Sequence, residues 1–193
     1  MTCIIGLEHQ GAVYIGGDSI GINGWSKDII AGRKVIRKGD MLFGCAGNPR
    51  QMQLIQYYLS PRPQVDESDE AYLVTEVIEP LRLLFKDKGF TETENGREQG
   101  PCFLLGYRGN LYSVENNFQL CRSARGMYAM GVGDDFAIAS LMTIFSAYED
   151  GDRSEADPET CILRALDIAG QLSTGVTPPY YVETLPREVN DGR

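Results

Sequence analysis

Near its amino terminus the chain sets a threonine, a carboxylate and a lysine at even intervals: Thr2 directly behind Met1, Asp18 in Gly16-Gly17-Asp18-Ser19, and Lys34 in Gly32-Arg33-Lys34-Val35. Threonine is small enough for an initiator methionine in front of it to be removable during synthesis, and removal would leave Thr2 a free α-amine. A threonine hydroxyl is a weak nucleophile until a base takes its proton. An α-amine, with a reference pKa of about 7.7–8.0, lies close enough to do so, and one residue then carries both nucleophile and base. That amine must be mostly neutral near pH 7. A neighbouring lysine cation favours this by like-charge repulsion, and the lysine in turn needs a carboxylate to hold it. Acyl transfer also requires a donor for the oxyanion, and the turn Gly44-Cys45-Ala46-Gly47 offers the Gly47 amide.

Each of these residues has a plainer reading when taken alone. Thr2 can simply start a strand, Asp18 can be a turn acid after two glycines, and Lys34 can be an edge-strand lysine that deters aggregation. Gly47 can serve only a tight strand-to-helix turn. Cys3 suggests a thiol route, but that would require Thr2 to be removed as well. His9 is the sole histidine and sits in a polar turn beside Glu8, which argues against a metal site or a Ser-His-Asp triad. The Asp134-Asp135 pair reads as a cap for the helix it precedes. Trp25 can touch substrate or a neighbouring subunit, or it can pack internally.

The surrounding pattern supplies elements to position these groups. Residues 3–7 and 12–17 alternate as two strands around the turn Glu8-His9-Gln10-Gly11, and residues 34–37 and 41–46 make a second hairpin around Lys38-Gly39-Asp40. Asp18 and Lys34 fall at the same sheet end if consecutive strands pair as hairpins. From Asn48, an N-cap with Pro49 at the first helical position, Met52, Ile55 and Leu59 recur at helical spacing. A second helix carries Tyr72, Val74, Val77, Ile78, Leu81, Leu84 and Phe85, with Pro80 expected to kink or break it. Residues 89–100 read as an exposed loop. Strands follow at 102–107 and 111–114 and near 127–130, then helices over 134–148 and 157–172, the latter capped by Asp157. Strands, helices, strands, helices is an α+β order. It predicts a four-layer αββα sandwich, two antiparallel sheets between helix layers, in one domain over 1–185 with a loose tail at 186–193.

Composition narrows the function classes. The chain has 193 residues, 42% of them apolar and 23% charged, enough for one domain with a full core. Its apolar runs, such as MLFGCAG and CFLLGY, are far shorter than the roughly 18 residues of a membrane span. A net charge of −9 disfavours nucleic acid, which needs a basic face. Five widely spaced cysteines without a C-x-x-C pair, and no basic segment leading into a long apolar stretch, predict reduced thiols and a cytoplasmic protein.

The combination resembles the proteasome-type N-terminal nucleophile hydrolases, the HslV-like bacterial peptidases among them. The likeness rests on Thr2 after Met1, the T-x-I-x-G opening and G-x-V-x-I-G-G-D-S through Ser19, Lys34-Val35 sixteen residues beyond Asp18, and the F-G-C-A-G turn. Ala129-Met130-Gly131-Val132-Gly133 and Ala165-Leu166-Asp167-Ile168-Ala169-Gly170 extend it through the chain. The resemblance implies Thr2 as nucleophile and general base, Lys34 as the cation lowering the amine pKa, Asp18 as its anchor and the Gly47 amide as oxyanion donor. It implies that Cys45 floors the pocket for the residue before the scissile bond, with small neighbours Gly21 and Gly32 leaving that pocket open to apolar side chains. It further implies polypeptide substrates, stacked hexameric or heptameric rings, an AAA+ ATPase unfoldase as partner, and no cofactor or metal in the subunit.

Two departures from the pattern bear on activity. Val132 stands where the family usually has serine, and valine has no hydroxyl to bond the amine or a water. The segment Gln171-Leu172-Ser173-Thr174-Gly175-Val176-Thr177-Pro178-Pro179 also differs, with Ser173 or Thr174 as possible substitutes for the groups that align the amine. Two alternatives therefore stand beside the threonine-type endopeptidase. One is a structural or binding protein that kept the fold and lost the chemistry. The other is an N-terminal nucleophile amidase acting on small molecules.

Overall fold

The computed structural model describes residues 1–147 and 157–186. Two antiparallel sheets organise it. The first has the order β12-β1-β2-β13, from β1 (Cys3–His9), β2 (Ala12–Gly17), β12 (Met127–Gly131) and β13 (Tyr181–Leu185). The second has the order β11-β10-β9-β6-β5, from β5 (Val35–Lys38), β6 (Met41–Cys45), β9 (Phe103–Tyr107), β10 (Asn110–Val114) and β11 (Leu120–Arg122). Two further hairpins stand apart, β3 (Ile20–Asn23) with β4 (Ser26–Ile29), and β7 (Glu92–Glu94) with β8 (Arg97–Gln99).

Strand side chains alternate between faces, so apolar residues at consecutive positions must enter different cores. In β1, Cys3, Ile5 and Leu7 pack with Ala137, Leu141, Ile162 and Leu166 of α4 (Asp134–Ser146) and α5 (Pro158–Leu172). Ile4 faces the other way and meets Val35, Leu42, Leu104 and Leu111 of the second sheet. In β6, Phe43 and Cys45 pack with Ile55, Leu81 and Phe85 of α1 (Pro49–Tyr58) and α3 (Glu79–Asp87). The sheets meet closely at Gly44, where a Cβ would stand 2.7 Å from both Ile4 Cγ2 and Ile15 Cγ2. Each fully buried Ile or Leu between the sheets contributes about 1.5–3 kcal/mol, and these side chains hold the two sheets face to face.

Asn48 caps α1, its side chain accepting from the Arg50 N–H, and Asp157 caps α5 through the Thr160 N–H, as their positions predict. Other expectations need correction. Residues 89–100 are not a plain loop, since Glu92–Glu94 pairs with Arg97–Gln99; both strands are short and polar, so no apolar alternation announced them. Pro80 does mark a break in the α-helical run, as expected, but the chain stays helical across it. The chain runs from α2 (Asp69–Tyr72) through a π-helical segment, Leu73–Ile78, into α3, where Pro80 occupies the first turn. The wider π turn absorbs the missing N–H and the ring's conflict with the preceding turn. Asp134 and Asp135 do not cap α4; Gly133 is its cap residue and both acids lie in the first turn, where the helix dipole favours them. β3, β4, β11 and β13 were not legible beforehand. Tyr148, the expected end of α4, and residues 187–193 of the tail lie outside the described residues. No helix among the described residues is long and apolar enough to cross a membrane.

Candidate active site

Thr2 sits just ahead of β1, where the ladders on both sides fix its backbone. Cys3 pairs with Gly131 and Ile4 with Gly17, and the Thr2 carbonyl accepts from the Val132 N–H at 2.8 Å. Gly131 has φ +107°, and a Cβ there would stand 2.0 Å from the Thr2 carbonyl oxygen. No other residue fits that close approach.

Asp18 follows the end of β2, fully buried. Its Oδ1 accepts from the Cys3 N–H at 2.9 Å and from Lys34 Nζ at 2.9 Å, and its Oδ2 accepts from the Ile20 N–H at 3.1 Å. A buried carboxylate is tolerable only with such partners, and here one of them is a cation. Lys34, one residue ahead of β5, also reaches the Met1 carbonyl oxygen, 3.5 Å from Nζ. Thr2 Oγ1 donates to the same carbonyl at 2.5 Å. Burial pushes the Lys34 ammonium below the ordinary lysine value, with Asp18 opposing that shift. Thus the Lys34–Asp18 pair ends on the peptide unit joining Met1 to Thr2.

Beyond Lys34 opens a cavity of 460 Å³, walled by Ile30, Gly32, Lys34, Cys45, Gly47 and Met52 among others. Gly32 borders open space, its nearest neighbour being Ile30 Cγ2 at 3.7 Å from a built Cβ. Cys45 is 4% exposed, and burial raises its thiol well above the usual range, so it presents a neutral, apolar surface. Gly47 has φ +117° and open space beside it. Gly21 lies off the cavity wall, against Ile30, whose Cδ1 stands 2.3 Å from where its Cβ would be. The structure therefore joins Thr2, Asp18 and Lys34 in one hydrogen-bonded group and places Gly32, Cys45 and Gly47 around the adjoining cavity, with Lys34 common to both.

Other candidates separate from the site. Burial, then Asp18 and Asp134, pushes the Cys3 thiol up to about 12, so it is not a thiolate near neutrality. His9 lies edge-on to Phe145, ring centroids 6.0 Å apart, between β1 and the end of α4. Trp25 is fully exposed at the turn joining β3 to β4, which rules out internal packing in this chain. Val132 donates its backbone N–H to the Thr2 carbonyl, and its side chain is exposed. Ser173 Oγ accepts from the Gly175 N–H at 3.3 Å, and Thr174 is exposed.

One contributor escaped the sequence reading. The Tyr181 phenol accepts from the Lys34 backbone N–H. Tyr181 opens β13, whose alternation Tyr181-Val182-Glu183-Thr184-Leu185 is masked in the sequence by the two prolines ahead of it.

No family model and no curated protein matches the chain. Solved structures do. The BPH protein of Thiobacillus denitrificans superposes with a TM-score of 0.76 at 17% identity, covering 98% of this chain and 100% of that one. The same protein in complex with epoxomicin gives 0.73 at 18%, covering 96% and 99%. HslV from Trypanosoma brucei gives 0.64 at 17%, covering 95% and 98%, and Anbu, the ancestral β-subunit from Yersinia bercovieri, gives 0.65 at 15%, covering 96% and 82%. The chain has the fold of the proteasome-type N-terminal nucleophile hydrolases, nearly end to end.

Proposed function

We propose that the chain is a threonine-type endopeptidase in which Thr2 becomes the nucleophile once Met1 is removed. The observation that carries this reading is the buried Lys34–Asp18 pair directed at the Met1–Thr2 peptide unit. Loss of Met1 takes away the carbonyl that accepts from both Thr2 Oγ1 and Lys34 Nζ, and turns the Thr2 nitrogen into an amine beside a cation. The amine takes the hydroxyl proton as Oγ1 attacks the substrate carbonyl carbon. The Gly47 amide donates to the oxyanion, and the protonated amine delivers its proton to the leaving nitrogen. An ester on Thr2 remains, and water, deprotonated by the same amine, releases the acid. The cavity floored by Cys45 and bordered by Gly32 receives an apolar residue before the scissile bond, with Gly21 acting only from behind Ile30.

The likeness to the epoxomicin complex supports covalent capture by an epoxyketone as the assay. Intact mass decides whether Met1 is lost, and full retention would sink the proposal. Thr2→Ala should abolish capture and hydrolysis of apolar fluorogenic peptides while assembly persists; unchanged hydrolysis would refute the role of Thr2.

The same reading takes residues 1–185 as one domain in a four-layer αββα order, assembled as stacked hexameric or heptameric rings in the cytoplasm. An AAA+ ATPase unfoldase would feed polypeptides to sites inside. Trp25, exposed on its hairpin, suits contact with substrate or a neighbouring subunit. Light scattering separates a ring from a monomeric or dimeric small-molecule amidase. Val132 favours the second reading, an inactive binding protein of the same fold, because its side chain offers no hydrogen bond beside Thr2. A Met1-free protein that no epoxyketone captures would establish it.

A further inference from the structure

Thr2 and Asp18 belong to the four-stranded sheet, whereas Lys34 enters from the other one. β2 and β5 share no ladder, so strand pairing does not set how far Lys34 stands from its partners. Tyr181 bridges that gap. It is the first residue of β13 and pairs with Gly17 at the end of β2, one position before Asp18. From there its phenolic oxygen accepts the Lys34 backbone N–H. The phenol packs beside Gly17, 3.6 Å from where a Cβ would stand, while the close approach there is that of Ile4 Cδ1 at 2.9 Å. The Arg33 guanidinium covers the ring, 5.5 Å from its centroid, and is ion-paired with Glu183 on the same strand. Just upstream, Ser19 Oγ donates to the Pro179 carbonyl at 2.6 Å, and the Ser19 N–H donates to the Thr177 carbonyl at 3.3 Å. Burial raises the Tyr181 phenol above its usual pKa, which keeps it protonated and uncharged through neutral pH.

We propose that Tyr181 is a positioning residue, holding the Lys34 backbone against the four-stranded sheet and thereby setting where the Lys34 ammonium stands relative to Asp18 and Thr2. The proposal rests on the roles given above to Thr2 and Lys34. Tyr181 acts through Lys34 alone, and the effect is electrostatic. The repulsion that keeps the Thr2 amine neutral weakens as the cation retreats, so the amine pKa rises and proton transfer slows.

The test uses assembled, Met1-free protein carrying Tyr181→Phe, which removes one oxygen and keeps the ring and the β13 pairing. The expected result is a fall in kcat of about tenfold with KM held, because a displaced catalytic group costs rate rather than binding. The acid limb of epoxyketone capture should move to higher pH. A parent-like kcat and acid limb would overturn the proposal. If Tyr181→Phe does not assemble, Arg33→Gln loosens one face of the ring with the phenol in place. It must move the acid limb the same way, and an unmoved limb overturns the proposal. A parent protein that lacks Met1 and still resists capture overturns both this proposal and the peptidase reading. Capture of the parent with an unaltered variant overturns only this one.

Discussion

Two of the ion pairs that bridge the sheets could hardly be less alike. Lys34 and Asp18 meet at 2.9 Å with side chains 10% and 0% exposed. Arg122 on β11 and Glu8 on β1 meet at 3.4 Å, 54% and 19% exposed, in a polar cavity beside the turns at Gly11 and Gly109. Taking a pair of charges out of water costs several kcal/mol per ion, recovered only by close geometry and further hydrogen bonds, whereas an exposed pair contributes about 0–1 kcal/mol. Asp18 has the required bonds, from the Cys3 and Ile20 amides as well as from Lys34. A buried ion pair is in itself weak evidence for stability. Under the proposed function the inner pair serves Thr2, while the outer pair joins two turns, Glu8 also accepting from the Leu111 N–H at 2.6 Å.

Lys34→Met is the most damaging way to break this contrast. It removes the cation and strands a buried carboxylate, so epoxyketone capture should slow on the order of 10²–10⁴-fold and urea unfolding should show a loss of about 3–5 kcal/mol. Asp18→Asn keeps an acceptor for only one of the two amides, turns an NH2 donor toward the other, and removes the charge that pairs with Lys34. A loss of about 3 kcal/mol is expected, read from the same unfolding curves.

The pH profile sharpens the contrast with less damage. Because burial lowers the Lys34 pKa, the cation is lost before an ordinary lysine would lose it. Capture should nonetheless stay level on the alkaline side, because the amine is neutral there without the cation, and the effect of Lys34 should be confined to the acid limb. A fall in capture beginning below pH 10.5 would mean that the ammonium does more than keep the amine neutral. Arg122→Ala should have the smallest effect, a change of about 0–1 kcal/mol with capture unaltered. A larger loss than for Asp18→Asn would reverse the ranking of the two pairs.

Much of this organisation was legible in advance because it is local. The β1–β2 and β5–β6 hairpins follow from alternation around glycine turns, and the caps of α1 and α5 follow from Asn48-Pro49 and Asp157-Pro158. The exposed hairpin at 92–99 was missed because strands without a buried face carry no apolar alternation. The π turn before Pro80 was missed because a proline announces a disturbance without saying how the chain absorbs it. Asp134 and Asp135 fall just inside the helix rather than at its cap, one and two residues past Gly133, and an acid favours a cap and a first turn alike.

The sequence by itself determined which residues are candidates for the site: Thr2, Asp18 and Lys34 at matched spacing, with the glycine turn through Gly47 after β6. Residue type and local turn chemistry suffice for that much. Only the tertiary structure decided how they meet. Asp18 and Lys34 share a sheet end only if consecutive strands pair as hairpins; Lys34 comes instead from a second sheet packed face to face on the first. It decided, too, that Ile30 rather than Gly21 walls the cavity, and that Tyr181, 147 residues away in sequence, holds the lysine's backbone. Packing of one sheet on another depends on which apolar faces are left over after every strand has paired. No local stretch of chain contains that information.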